Sequence, residues 1–563
     1  MRAQVRIWRR YARPGSTNFF LNPCSCVLLP YTCKANGRES ILASALNEHR
    51  VVVIGAGVAG LVAALQLAQR NLQVTLVEAA ATPGGKMRQP LVDGAAIDSG
   101  PTVFTMRWIF EQIFAQAGTN LSDELELTAL PVLARHAWSE NERMDLFANP
   151  TMSRDAIARF AGPAEAKRFM EFCKQARAVY DALEGPFIRS QSPTLTSMSG
   201  DLGLRGLAVL AALGPMSNLW DALRQHFHDV RLQQLFGRYA TYCGSSPWQA
   251  PATLMLVTQV ELDGVWAIKG GMHALAKTLA RLAEAKGVKI RYSSPCASIA
   301  TEGQRVSGVT LADGEFIAAD SVVFNGDASA LGQGLLGQQV KRAVPALAAS
   351  KRSLSAVTWS VHAETDGFPL DRHNVFFQPD YQREFSDIFS RGRLPQTPTV
   401  YVCAQDRGLD EAAPERDRLL VLVNAPAEGG RHLTESEIDA CEHHSFSLLA
   451  RYGLTIKRMQ HNSLRTTPSD FHRMFPGSGG ALYGMATHGW MSAFARSGAS
   501  TRIAGLYLAG GSVHPGPGVP MAAMSGQLAA ATLMGHLDST SKSRRVVISG
   551  GMSTRSATMA TMD

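Results

Sequence analysis

Three glycines and one acid carry the strongest chemical signal in this chain. Gly55, Gly57 and Gly60 stand in the spacing G-x-G-x-x-G, and Glu78 follows eighteen residues beyond the last of them. Glycine at the first position allows a tight turn, at the second lets backbone approach a pyrophosphate, and at the third lets a helix pack closely on a strand. Phosphate charge is favoured where a helix N-terminus presents unpaired N–H groups. An acid at the end of the next strand can accept hydrogen bonds from a ribose. Glycine spacing alone is a weak signal, since a strand–turn–helix that holds no ligand is the alternative. Strand, glycines, helix, strand and acid in register form a strong one. A second set of glycines, Gly510 and Gly511 in GLYLAGGSVHPGPGVPMAAMSGQLAA, lies some 450 residues downstream.

The elements that must position these residues follow from hydrophobic pattern. Val51–Ile54 reads as a buried strand, the apolar stretch to about Gln69 as a helix, and Gln73–Val77 as a second strand ending on Glu78. Gly84, Gly85, Lys86 and Arg88 then place glycines and basic groups just beyond the acid, followed by Asp98-Ser-Gly100-Pro101-Thr102. Near the C-terminus, Leu506–Leu508 reads as a strand, Gly510-Gly511 and the Pro/Gly run as a turn, and a small-residue helix starts at about Met521. Such a helix N-terminus can hold an oxygen on which negative charge develops. His514 within this turn is a candidate base, although a histidine among glycines and prolines is more often a packing residue.

Between these ends, Trp108–Leu262 reads as mostly helical. Residues 202–213 are almost wholly apolar apart from Arg205, which suits a buried helix or a shallow membrane insertion. GVWAIKGGMHAL reads as strand, turn and helix, and the stretch to Asp327 as short paired strands ending in a buried one, Ser321–Asn325. A second G-x-G-x-x-G at Gly332, Gly334 and Gly337 neither follows a strand nor precedes an acid, so a second dinucleotide site is not expected. SLSAVTWSVHA, TVYVCAQ and RLLVLVNAPA give a β-rich layer within 350–470.

At 563 residues the chain exceeds one compact core. Net charge is +8, part of it from Arg2, Arg6, Arg9, Arg10 and Arg13 in an acid-poor leader. No nucleic-acid motif accompanies that charge, so an anionic membrane surface is the expected partner and nucleic acid is not. No run of about 18 apolar residues exists to span a bilayer. The eight cysteines contain no C-x-x-C pair, and Cys24, Cys26 and Cys33 lack a convincing fourth ligand, so no metal is expected.

The Arg50–Arg88 fingerprint, GVWAIKGGMHAL and GLYLAGGSVHPGPGVP together resemble the phytoene desaturase-type carotenoid dehydrogenases over roughly residues 50–536. DSGPTVFTMRWIF, YCGSSPWQAPATLM, FPGSGGALYG and HPGPGVPMAAMSG are similar to the branch of hydroxyneurosporene (methoxyneurosporene) dehydrogenases, the 1-hydroxycarotenoid 3,4-desaturases. Val513 and Pro517 depart from the smaller residues common elsewhere in the family.

The resemblance implies an α/β fold of amine-oxidase type. A Rossmann-like FAD-binding domain would be assembled from the discontinuous segments 49–110, 263–345 and 500–537. A mixed α+β substrate and membrane-contact domain would comprise 111–262 and 346–499. Outside the resemblance, composition reads 1–48 as a disordered or mis-started extension, with a targeting peptide the alternative, and 538–563 as a mobile tail. The resemblance implies FAD held by Gly55, Gly57, Gly60 and Glu78 at the ADP half and by Gly85, Lys86 and Arg88 near the pyrophosphate. The adenine would lie near Cys296, and the ribityl chain and ring along Gly510, Gly511, Val519 and Met521. The implied activity is hydride transfer to flavin that introduces a C=C bond into an acyclic hydroxylated or methoxylated carotenoid. Phytoene desaturation, carotenoid cis–trans isomerisation and a flavin-less prenyl-binding escort role are the alternatives on this fold. The cofactor carries the hard step, so no catalytic side chain is named. A cytoplasmic, peripherally membrane-associated enzyme reoxidised by oxygen or a quinone is expected.

Overall fold

The computed structural model describes residues 48–548 except 192–201, 204–205, 212, 215–216, 410–411 and 428–431. The arginine-rich leader and Cys24, Cys26 and Cys33 lie outside the described residues. In chain order the strands used below are β1 (Arg50–Ile54), β2 (Gln73–Val77), β3 (Val132–Ala137), β4 (Arg143–Phe147), β5 (Lys289–Arg291), β6 (Ser321–Phe324), β7 (Ser355–Ala363), β8 (His373–Phe376), β9 (Val400–Ala404), β10 (Asp417–Ala425), β11 (Ser463–Thr466) and β12 (Leu506–Leu508). The helices are α1 (Val58–Ala68), α2 (Arg107–Ala117), α3 (Pro163–Leu183), α4 (Met272–Ala285), α5 (Glu435–Arg451) and α6 (Val519–Ile548).

The first sheet is parallel throughout, with order β12-β6-β1-β2-β5. Parallel sheets are buried on both faces, and their strands are correspondingly apolar. Helix α1 is apolar almost all round, every residue but Gln66 being buried, because it is wedged between the sheet, α4 and α6. The helix at GVWAIKGGMHAL starts at Met272, where the buried Asp98 carboxylate accepts from the Met272 N–H and so caps it across the chain.

The second sheet has seven strands in the order β11-β7-β10-β9-β8-β3-β4. One face, with Val357, Trp359, Phe376, Val400, Val402 and Val421, packs beneath α5. The β-rich layer expected for 350–470 is thus present, but the sheet also recruits the hairpin β3–β4 from the stretch expected to be helical. That hairpin joins through parallel pairing of β3 with β8. Six residues of β3 carry no strict alternation, since both faces are covered, and a two-residue period was absent for that reason. Helix α6 begins at Val519, two residues before the expected start, and runs to Ile548, into the stretch expected as a tail. Pro520 sits in its first turn, where a missing N–H is harmless. No helix among the described residues is long and apolar enough to cross a membrane.

Candidate functional site

Gly55 has φ +102° and its N–H donates to the Val77 carbonyl at 2.8 Å, which turns the chain across the end of β2. At Gly60 a Cβ would lie 2.0 Å from the Gly55 carbonyl oxygen, so helix and strand approach in a way that glycine alone permits. Gly57 is extended at the start of α1 and gives no side-chain cap, and the first turn holds no acid. The N–H groups of that turn are therefore left to a ligand. Glu78 accepts from the N–H groups of Ala56 at 2.5 Å and Ala80 at 2.8 Å, which fixes its carboxylate against the glycine loop. Cys296 opens a strand just past Ser294, whose N–H donates to the Glu78 carbonyl. Burial pushes its thiol up to about 11, which leaves it a packing group.

A second loop docks on the first. The Gly84 N–H donates to the Ala56 carbonyl at 2.9 Å, and a Cβ on Gly85 would meet the Gly57 Cα at 3.3 Å. Lys86 then turns inward, its ammonium donating to the Leu482 carbonyl and lying 5.4 Å from the Phe475 ring centre. Arg88 donates to Thr466 Oγ1 at 3.1 Å and stacks over Phe471. Arg88 thereby reaches β11, the edge strand of the second sheet.

The C-terminal motif closes the site from the other side. The Gly510 N–H donates to Ser525 Oγ at 3.1 Å, and Gly511 offers its carbonyl to buried Arg496 at 3.4 Å. Arg496 also donates to the carbonyls of Tyr483 and Met485. At Gly526 a Cβ would lie 2.3 Å from the Ala59 carbonyl, so α6 crosses α1 close to its N-terminus. Val519 is buried in the same core and Met521 packs on it.

Sequence reasoning missed two features. Asn325, directly after β6, donates from Nδ2 to the Gly55 carbonyl at 3.1 Å, and its Oδ1 would meet a Cβ on Gly510 at 3.0 Å. It thereby touches both glycine motifs; a polar residue closing the apolar run SVVF was the available signal. The other is a cluster of cations. Burial lowers the pKa values of Lys86, Arg352 and Arg496, and the Asp327 carboxylate opposes the shift in all three. Nε and Nη1 of Arg352 are buried without a hydrogen-bond partner among the described residues. Three cations around one carboxylate suit an anionic ligand, and the glycine cradles suit a long dinucleotide one; the residues present fit FAD.

His514 takes the packing role. Its Nε2 donates to the Ser190 carbonyl at 2.9 Å and its ring meets Phe187 edge-on, which ties the C-terminal loop to the chain beyond α3. Gly332 ends a short helix, and Gly334 and Gly337 lead only into a 3-10 turn.

Residues 58–534 match the flavin containing amine oxidoreductase family. The chain belongs to that family. It is an FAD-dependent oxidoreductase. It is 63% identical over 526 residues to a hydroxyneurosporene desaturase of Rubrivivax gelatinosus, covering 92% of this chain and all of that protein. It is 27% identical over 489 residues to a 1-hydroxycarotenoid 3,4-desaturase of a Flavobacterium species, covering 85% of this chain and 98% of that one. Among solved structures, a putrescine oxidase bound to putrescine superposes with a TM-score of 0.55 at 14% identity, covering 87% of this chain and 99% of that one. That likeness concerns the fold alone.

Proposed function

We propose that this enzyme introduces a C=C bond into an acyclic carotenoid bearing a hydroxyl or methoxyl group on C-1, in carotenoid biosynthesis. The observation that carries the proposal is the 63% identity to the Rubrivivax gelatinosus hydroxyneurosporene desaturase across that protein's whole length. Bound FAD supplies a hydride acceptor. The chain's own residues bind and orient: Gly55, Gly57, Gly60, Gly85 and Glu78 would hold the ADP half, and Lys86 and Arg496 the negative charge deeper in. Gly510, Gly511, Val519 and Met521 would lie along the ring end, Arg88 beside the phosphates and Cys296 near the adenine. The test is incubation of purified, flavin-containing protein with lipid-dispersed 1-hydroxyneurosporene and, separately, phytoene. Loss of two hydrogens from the hydroxylated substrate is expected. Conversion of phytoene alone would overturn the assignment.

A lipid-soluble substrate is best taken up from a bilayer, and the apolar stretch 202–213 supports docking there. Residues 206–211 are helical; Val209 and Leu210 pack on the core around Phe169 and Phe236, while Leu207 is 41% exposed beside exposed Ala208 and Ala211. Trp490 and Met491 are also exposed, next to Phe494, which packs on the same core. In flotation with anionic liposomes, Leu207→Asp is expected to lower the bound fraction several-fold. Unchanged flotation would remove this helix from the membrane-contact surface.

A further inference from the structure

The second sheet buries a line of polar groups that the flavin site does not use. Strand register pairs His373 with Cys403 and Val375 with Tyr401, which places all four on the face opposite the α5 core. The Tyr401 hydroxyl lies 2.7 Å from Thr102 Oγ1 and 2.7 Å from His373 Nδ1. His373 is 3% exposed, and its Nε2 has no hydrogen-bond partner among the described residues. Arg238, also buried, donates to the Tyr242 hydroxyl at 3.1 Å and leaves Nε without a partner. Glu261, accepting from Tyr239 and Tyr242, balances that charge. Burial, with the charges of Arg372 and Arg238 adding to it, holds the His373 imidazole down to about 3, so the ring is neutral at physiological pH.

This line begins beside the proposed cofactor loop. At Gly100 a Cβ would lie 1.8 Å from the Lys86 carbonyl, so the segment carrying Thr102 rests directly on the loop that carries Lys86. The same segment is tied to the sheet where the Asp98 N–H donates to Gln405 Oε1 at 3.0 Å. A hydroxyl on C-1 and a reacting C-3 have only C-2 between them. Whatever receives that hydroxyl must therefore stand next to the site of hydride loss.

We propose that His373 Nε2, oriented through Tyr401 and Thr102, receives the C-1 oxygen of the carotenoid and sets which bond is presented for desaturation. The assignment rests on the function proposed above. A neutral imidazole whose Nδ1 is engaged offers one N–H or one lone pair at Nε2. A hydroxyl can satisfy either, a methyl ether only the N–H, and a hydrocarbon end neither. With the hydrocarbon bound, the buried nitrogen stays unpaired, which is how a site built to bond a hydroxyl rejects an analogue lacking it. His373 is thus a specificity residue, and Tyr401 a positioning residue for it.

The test compares flavin-loaded wild type, His373→Leu, His373→Gln and Tyr401→Phe on the hydroxylated carotenoid and its unoxygenated parent. Wild type is expected to favour the alcohol at least about tenfold in kcat/KM. His373→Leu should abolish that preference, chiefly through KM for the alcohol, while the rate with the hydrocarbon is held or raised. His373→Gln, which keeps a donor and an acceptor, should restore part of it. Tyr401→Phe retains the ring and its packing and should lose part of the preference, which covers the case in which His373→Leu does not fold. Retention of each pigment by the purified variants, read from visible absorbance, gives the same comparison without turnover. Wild-type inactivity on the alcohol would defeat the proposed function itself. An active wild type whose preference survives unchanged in flavin-loaded His373→Leu, or in Tyr401→Phe where only that variant folds, would overturn the His373 assignment alone.

Discussion

At the scale of single residues, the proposed flavin site depends on side chains that hold backbone. Glu78 is hydrogen-bonded to the N–H groups of Ala56 and Ala80, and Asn325 to the Gly55 carbonyl. Each such bond is worth about 0.5–1.5 kcal/mol net, more for a charged partner. Glu78→Ala is accordingly expected to weaken FAD retention by about tenfold, measured as flavin absorbance per polypeptide after dialysis. Flavin content equal to wild type would remove Glu78 from the ribose role. Asn325→Leu, which keeps bulk and removes the amide, is expected to loosen the same loop and shed flavin during gel filtration. Retention of a full flavin complement would show that the contact is dispensable.

At the scale of elements, the site is the crossing of two helices over a parallel sheet. The crossing is possible because Gly60 and Gly526 have no side chain. A Cβ at either would meet a backbone carbonyl, at 2.0 Å on Gly55 or 2.3 Å on Ala59, and backbone cannot swing aside as a side chain can. Gly526→Val is expected to push α6 off α1 at a cost of about 1–3 kcal/mol, lowering the thermal midpoint and flavin content together. A variant with both properties unchanged would show that the helices have room to spare. Gly60→Ala should act in the same direction and more strongly, since its clash closes inside the loop itself.

At the scale of the whole molecule, burying neutral histidines makes stability depend on pH. His136 and His373 are both enclosed, and burial drives both pKa values down, His373 to about 3. The unfolded chain binds protons at these groups below about pH 6.5 while the folded chain does not, so stability is complete above that pH. It is lost as pH falls toward 3, by up to about 1.4 kcal/mol per unit for each group. Neither nitrogen of His136 has a partner among the described residues, and its ring stacks 6.2 Å from Trp138 and 6.1 Å from Phe377. His136→Phe is expected to raise the thermal midpoint, and to raise it more at pH 5 than at pH 8. An equal rise at both pH values would show that the imidazole is not the source of acid lability.

What the sequence alone determined was local. Gly55 at positive φ, the apolar runs of β1, β2 and β6, the apolar helix after the first glycines and the helix start at Met272 were legible because periodicity and turn chemistry act over a few residues. The β-rich layer was legible in β7, β9 and β10 for the same reason. Tertiary structure decided what meets what. The hairpin β3–β4 became sheet because β8, more than two hundred residues later, offered it a partner. Lys86, Asp327, Arg352 and Arg496 gather around one interior, and Thr102, Tyr401 and His373 form one line, from positions hundreds of residues apart. A buried charge or an unpaired nitrogen acquires meaning only from its neighbours in space, because desolvation and hydrogen bonding depend on distance and not on sequence separation.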